Sequence, residues 1–153
     1  MEVKINSNLN IRKFSLEDLS KIMEIEHSSF TADTFSENTF LSLYRKCSEL
    51  FIVAEIDKTI VGYMVTCNYW KRWRVISIAV DPVYRRKGIG SALANFTINQ
   101  LKVCRIKNLE LEVRVTNSGG IGFWKSLDFY SLKIIPYYYL DGTNAMVMRK
   151  LLK

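Results

Sequence analysis

The residues Asp81-Pro82-Val83-Tyr84-Arg85-Arg86-Lys87-Gly88-Ile89-Gly90-Ser91 constrain this chain more than any other stretch. They follow Val75-Ile76-Ser77-Ile78-Ala79-Val80, a run rich in β-branched side chains that predicts a strand. They lead into Ile89, Leu93 and Phe96, whose i, i+4, i+7 spacing predicts one face of a helix. A strand, a short basic turn and a helix start leave main-chain N–H groups at the positive end of a helix dipole, which is an anion site. Gly88 and Gly90 lack the Cβ atoms that would hold a phosphate off that backbone, and Arg85, Arg86 and Lys87 add charge beside it. No Gly-Lys-Ser/Thr closes the turn as in a Walker loop, and no third glycine completes the dinucleotide fingerprint. The turn is therefore expected to hold a phosphate or pyrophosphate in another way. The bland alternative is a basic turn without a ligand.

The chain of 153 residues is expected to form one domain, residues 1–153, with a core of its own. Hydrophobic content of 48% and charged content of 24% are those of a soluble globular protein. No run approaches the length of a membrane span, and the opening Met1-Glu2-Val3-Lys4-Ile5-Asn6 lacks a signal peptide's apolar stretch, so a cytoplasmic protein with no membrane partner is expected. Cys47, Cys67 and Cys104 are an odd count without metal-ligand spacing, which predicts free thiols. With a single histidine as well, no metal is expected. The net charge of +7, from 22 basic and 15 acidic residues, fits an anionic cofactor and attraction to ribosomes or nucleic acid, or else a basic, solvated surface. Neither Lys71-Arg72-Trp73-Arg74 nor Arg85-Arg86-Lys87 reads as a single-strand binding face, so nucleic acid is not expected as the main ligand.

Taken in order, Ile5 to Ile11 predicts a first strand, and Ser15 with Asp18 a capping box ahead of a helix ending near Glu26 or His27. His27 to Phe35 has no period and reads as a loop; Ser36 caps a second helix with Phe40, Leu43 and Tyr44. Leu50–Ile56 and Ile60–Cys67 predict a hairpin across Asp57-Lys58-Thr59, and Asn68 to Arg74 reads as a connection. Leu109 to Val115 alternates apolar residues with Glu110, Glu112 and Arg114. Asn117-Ser118 opens a helix whose Gly119, Gly120 and Gly122 suggest close packing of helix on strand. Phe129–Tyr139 and Ala145–Leu151 predict strands around the turn dipeptide Asp141-Gly142. The expected architecture is α+β, with a mixed, mostly antiparallel central sheet and helices on both faces.

The R-R-x-G-x-G pattern after Ala79-Val80-Asp81-Pro82 resembles the coenzyme A loop of the GCN5-related N-acetyltransferases (GNAT). Four segments resemble the protein N-terminal branch of that superfamily: His27–Phe40, Ile76–Leu93, Leu109–Asn117 and Tyr137–Met148. That branch includes ribosomal-protein alanine acetyltransferases and archaeal and eukaryotic N-terminal acetyltransferase catalytic subunits. The resemblance implies acetyl-CoA as cofactor, with the Ile78, Ala79 and Val80 backbone pairing with the pantetheine arm. Arg86, Lys87, Gly88, Ile89, Gly90 and Ser91 would wrap the pyrophosphate, and Asn117 would hold the cofactor near its thiol end. It places Glu112 as general base, and Phe30, Tyr138 and Tyr139 against the substrate's first residues. A protein or peptide N-terminus is the implied substrate, with a ribosome or an auxiliary subunit as implied partners. One position departs from the pattern: Trp124 stands where the branch carries a tyrosine that protonates the departing thiolate. Three accounts are open: Tyr138 or Tyr130 takes that role, water does, or catalysis is weak. Read from the residues alone, Glu112 is also compatible with a surface carboxylate paired to Arg114, and the tyrosines with a half-buried aromatic edge.

An α-amine, with a pKa near 8, needs about one unit of deprotonation at pH 7, against over three for lysine near 10.4. A carboxylate base acting through water suffices for the first, which favours N-terminal acetylation. Acetylation of a lysine or small-molecule amine, and a non-catalytic acetyl-CoA-binding module, are the alternatives.

Overall fold

The computed structural model describes residues 8–30 and 32–153. In chain order they form β1 (Leu9–Lys13), α1 (Leu19–Ser29), α2 (Glu37–Lys46), β2 (Phe51–Ile56), β3 (Thr59–Tyr69), β4 (Arg72–Val80), α3 (Ile89–Val103), β5 (Asn108–Arg114), α4 (Ser118–Ser126), β6 (Tyr130–Ile135) and β7 (Ala145–Leu151). The strands make a seven-stranded sheet in the order β1-β2-β3-β4-β5-β7-β6. Pairs β1–β2, β2–β3, β5–β7 and β6–β7 are antiparallel, and β4–β5 is parallel. This is the mixed, mostly antiparallel α+β sheet that the element order predicts. The chain divides into two compact units, Met1–Cys67 with Ile76–Thr97 and Asn68–Val75 with Ile98–Lys153. Among the described residues no helix is long and apolar enough to cross a membrane.

In the first unit β1 runs Leu9–Lys13 with Asn8 in a turn before it; the predicted Ile5 to Ser7 lie outside the described residues. Asp18 accepts from the Ser15 N–H at 2.9 Å, as a capping box requires. The same carboxylate takes two bonds from Arg12, at 2.8 and 2.9 Å, and Arg12 also reaches Glu55 at 3.3 Å. One guanidinium thus fastens β1 to the first helical turn and to β2. Helix α1 runs past the predicted end to Ser29. The Ser36 hydroxyl accepts from the Thr39 N–H at 3.2 Å, the N-cap its position predicts. Inside, Phe14 stacks on Phe51 with centroids 4.1 Å apart, and Phe40 meets the Tyr63 ring edge-on at 5.5 Å.

Two connections are tighter than their sequences suggest. Ile56 pairs directly with Thr59, so the first hairpin turns on Asp57 and Lys58 alone, with φ of 49° and 67°. The segment predicted as a connection, Asn68 to Arg74, instead completes β3 and begins β4 around a turn on Trp70 and Lys71, with φ of 53° and 64°. A further correction concerns the cysteines. Cys47 and Cys67 form a disulfide, although free thiols were expected; Cys104 is free and exposed. The 20-residue separation gives no hint of it. The two Cα atoms are brought together by the β2–β3 register, in which Phe51 faces Val65, and by the end of α2 at Lys46.

In the second unit β5 buries Leu109, Leu111 and Val113, and Trp124 of α4 packs edge-on against Phe129 at 5.0 Å. β6 stops at Ile135, well short of the predicted Tyr139, because Pro136 has no N–H to continue the ladder and Tyr137 takes a φ of 54°. The glycines of α4 do not serve helix-on-strand packing. A Cβ on Gly122 would meet nothing within 4 Å, and one on Gly119 only the Asn117 carboxamide at 3.9 Å. At Gly120 it would stand 2.5 Å from Asn117 Nδ2.

Two outcomes follow for stability. Gly122→Ala should raise it by about 1 kcal/mol through helix propensity, whereas Gly120→Ala should lower it by about 1 kcal/mol by displacing the helix cap; urea titrations compare them. Replacing Cys47 and Cys67 with Ala should cost about 3 kcal/mol, the loop-closure value for a ring of this size. The same loss should appear when the native chain unfolds under dithiothreitol.

Candidate active site

The turn between β4 and α3, in the first unit, is built to stay open. The Asp81 N–H donates to Val61 O at 2.8 Å, and the Asp81 carboxylate accepts from the Val83 N–H at 3.0 Å. A single 3₁₀ turn, Pro82–Tyr84, then carries the chain to Arg85. Arg86 and Gly88 both sit in the left-handed region, at φ of 61° and 80°. That conformation is cheap for Gly88 and strained for Arg86. The Ala92 N–H bonds to Gly88 O at 3.0 Å, so the N–H groups of Ile89, Gly90 and Ser91 precede the first intrahelical bond and point out of the helix end. The helix behind them is 15 residues long and has no acidic residue in its first turn. An anion meets the positive end of a full dipole there.

The three basic residues of the turn divide their roles. Arg85 is spent on the protein: its Nε donates to Val80 O at 3.0 Å and its Nη2 to the Ser29 hydroxyl at 2.9 Å. Lys87 lies over the Tyr84 ring at 5.3 Å, a cation–π contact, and Arg86 is exposed. Ile78 and Val80 are half-buried and Ala79 is buried.

Close by in the same unit is a buried carboxylate. Glu26, in α1, is 2% exposed. It accepts from the Tyr63 hydroxyl and, at 3.0 Å, from the Phe35 N–H; the Tyr63 hydroxyl also meets the Ser77 hydroxyl at 2.8 Å. Burial and the adjacent Glu26 carboxylate push Tyr63 far above the ordinary tyrosine range, so its hydroxyl remains a donor. Phe30, partly exposed, closes α1 through its N–H to Glu26 O at 3.0 Å. Glu26 therefore anchors both ends of the loop from Phe30 to Phe35; Thr31 lies outside the described residues.

In the second unit, the outward residues of β5 are all ion-paired. Glu110 meets Arg149 of β7 at 3.0 Å, Glu112 meets Arg74 of β4, and Arg114 meets Asp141 at 2.9 Å. The parallel register, Arg74 beside Glu110, brings the Arg74 guanidinium of β4 to Glu112. Arg114 also covers the Tyr139 ring at 4.1 Å, and Tyr139 meets Tyr138 edge-on at 5.0 Å. The tyrosines are held by a small turn in which Gly142 donates to Tyr139 O at 2.9 Å and Tyr139 to Thr143 O at 3.1 Å. Asn117 caps α4, its Oδ1 accepting from the Gly120 N–H at 2.9 Å, so Nδ2 is the atom it has to offer a ligand. Trp124 is a core residue at 5% exposure.

Sequence reasoning missed Arg74, Glu26 and the protein-bound role of Arg85. Glu26 had a signal: it lies four residues after buried Ile22, on the apolar stripe of α1. Arg74 had none, since its partner depends on the parallel register.

A family model described as the acetyltransferase (GNAT) family matches residues 16–129. The chain is 32% identical over 160 residues to the N-alpha-acetyltransferase of Sulfurisphaera tokodaii, spanning 96% of this chain and 95% of that one. It is 32% identical over 134 residues to the ribosomal protein bS18-alanine N-acetyltransferase of Escherichia coli, spanning 86% and 89%. The crystal structure of Ard1 from Thermoplasma volcanium superposes with a TM-score of 0.90 at 31% identity, over 95% of this chain and 99% of that one.

Hydrogen bonds from the Thr143 main chain and hydroxyl, and then Arg114, lower the Asp141 carboxyl to about 2. Since this value lies below the ordinary one near 3.9, the stabilisation is complete above pH 4 or so and is lost as pH falls through about 2. Side-chain NMR of Asp141 should show that low midpoint, and Arg114→Met should move it only part of the way back.

Proposed function

Because the chain belongs to the acetyltransferase (GNAT) family, we propose that it transfers the acetyl group of acetyl-CoA to the α-amino group of a protein or peptide N-terminus. The observation that carries this reading is the β4–α3 turn, where three unbonded helix N–H groups, a left-handed Gly88 and two cations suit a pyrophosphate. The names of the relatives, N-alpha-acetyltransferase and alanine N-acetyltransferase, support a protein N-terminus as acceptor. A ribosome or an auxiliary subunit is the docking partner.

Acetyl-CoA supplies an activated thioester; the chain supplies position and protons. The N–H groups of Ile89, Gly90 and Ser91, with Arg86 and Lys87, hold the pyrophosphate. The backbone of Ile78, Ala79 and Val80 takes the pantetheine arm, and Val80 does so through its N–H because its carbonyl is occupied by Arg85. Asn117 Nδ2 donates near the thiol end. Phe30, Tyr138 and Tyr139 line the substrate's first residues. Glu112, steadied by Arg74, takes the amine proton through water.

Protonation of the leaving thiolate falls to Tyr138. Trp124 has no hydroxyl and is buried, and Tyr130 lies in β6 opposite Arg149, whereas Tyr138 stands beside Tyr139, at the turn that follows it, and is 47% exposed. The demand is small, since a thiol of pKa near 8.5 leaves tolerably unprotonated.

A thiol-release assay with short peptides of varied first residue tests the reading. Glu112→Gln should lower kcat by about 10² or more, with coenzyme A affinity by calorimetry unchanged. No turnover on any peptide, with turnover on a polyamine, would replace the acceptor. Coenzyme A binding without turnover on any amine would make the chain a non-catalytic module.

A further inference from the structure

The turn on Trp70 and Lys71 has an unusual composition for its geometry. A two-residue hairpin turn with positive φ at both positions is cheapest with Asn-Gly. Here a tryptophan takes the first place at φ 53° and a lysine the second at 64°. The indole is also 96% exposed, on a chain that buries Trp124 at 5%. Strain and exposure of a large aromatic at one point call for a ligand that needs an open ring face.

The surroundings say what kind. Two residues before the parallel pair Arg74–Glu110, Arg72 stands level with Asn108, and Asn108 pairs with Leu151. The Leu152 N–H donates to Lys107 O at 2.8 Å. The tip of the β3–β4 hairpin, the start of β5 and the end of β7 therefore share one end of the sheet, and α3 reaches it through the short connection 104–107. All these residues lie in the second unit. Lys71, Arg72, Lys102, Arg105 and Lys107 are exposed there, and so is Lys153. Segments 68–75, 98–109 and 150–153 contain no Asp or Glu. A net charge of +7 is thus concentrated at one end rather than spread over the surface.

We propose that this basic end binds single-stranded or looped RNA, with Trp70 stacking on an unpaired base and the surrounding Lys and Arg contacting phosphates. A protruding ring cannot stack on bases already stacked in a duplex, but every unpaired base offers it a π-face. Cations around it supply the sequence-independent attraction to the backbone. The side-chain amides of Asn99, Gln100 and Asn108, close to the cations, suit polar base edges better than an acyl-chain boundary. The surface uses none of the residues assigned to acetyl transfer and stands independently of that reading.

Fluorescence anisotropy of the full chain against a fluorescein-labelled RNA strand of about 12 nucleotides, between about 50 and 200 mM salt, tests it. Binding should weaken with salt. Trp70→Ala should weaken it about fivefold or more with the salt slope unchanged. Replacing Lys71, Arg72, Arg105 and Lys107 together with Gln should reduce the slope by about 3. Acetylation of a free peptide by both variants should match the unaltered chain, which also shows that they are folded. RNA binding indifferent to both variants overturns the proposal, as does tighter binding to phosphatidylglycerol vesicles than to RNA. Since binding is read without an acetyl donor, its failure and a failure of peptide turnover are separate results.

Discussion

A carboxylate almost without exposed surface, Glu26, is the constraint on which the first unit depends. An unpaired buried charge would cost several kcal/mol, so its environment has to be supplied in full. Tyr63 from β3 and the Phe35 main chain supply it, with Ser77 of β4 behind the tyrosine. Helix α1, the loop after it and two strands are thereby fixed to one another. The strands are β3 and β4, and the loop runs from Phe30 to Phe35. A polar network of this kind is demanding because leaving any member unmade costs more than making it gains. It sets position where apolar packing around Phe40 and Phe51 alone would allow sliding.

Local signals carried most of the fold. The strand, basic turn and helix from Val75 onward, the Ser36 cap and the alternation along β5 depend only on neighbouring residues, and each stands where the sequence puts it. What escaped depends on register or on a cost the chain bears locally. The β3–β4 turn was unreadable because Trp70 and Lys71 replace the glycine or asparagine that marks such turns. The disulfide and the Arg74–Glu112 pair arise from which strand residues come level, and no spacing along the chain encodes that. The glycines of α4 misled for a subtler reason: only Gly120 is needed, and it makes room for a cap, not a strand.

The candidate site shows the same division. The open β4–α3 turn was legible because main-chain geometry at a helix start follows from glycines and charge. The residues proposed for acid–base work were legible only as types. Glu112 comes with a guanidinium partner from β4, and Tyr138 and Tyr139 come with a scaffold of their own, the Arg114–Asp141 pair and the Thr143 turn. Trp124 is packed in the core against Phe129, which its position on the apolar stripe of α4 already indicated.

The disulfide has a further consequence for a chain that releases a thiol at each turnover. Thiol–disulfide exchange needs a thiolate to approach a sulfur in line. Cys67 is 1% exposed and Cys47 is 8% exposed, so the product coenzyme A is kept from both by the packing around them. Cys104 is exposed and has no such shield. Under oxidising conditions, mixed-disulfide formation with the product would collect at that one surface sulfur and leave the internal crosslink intact.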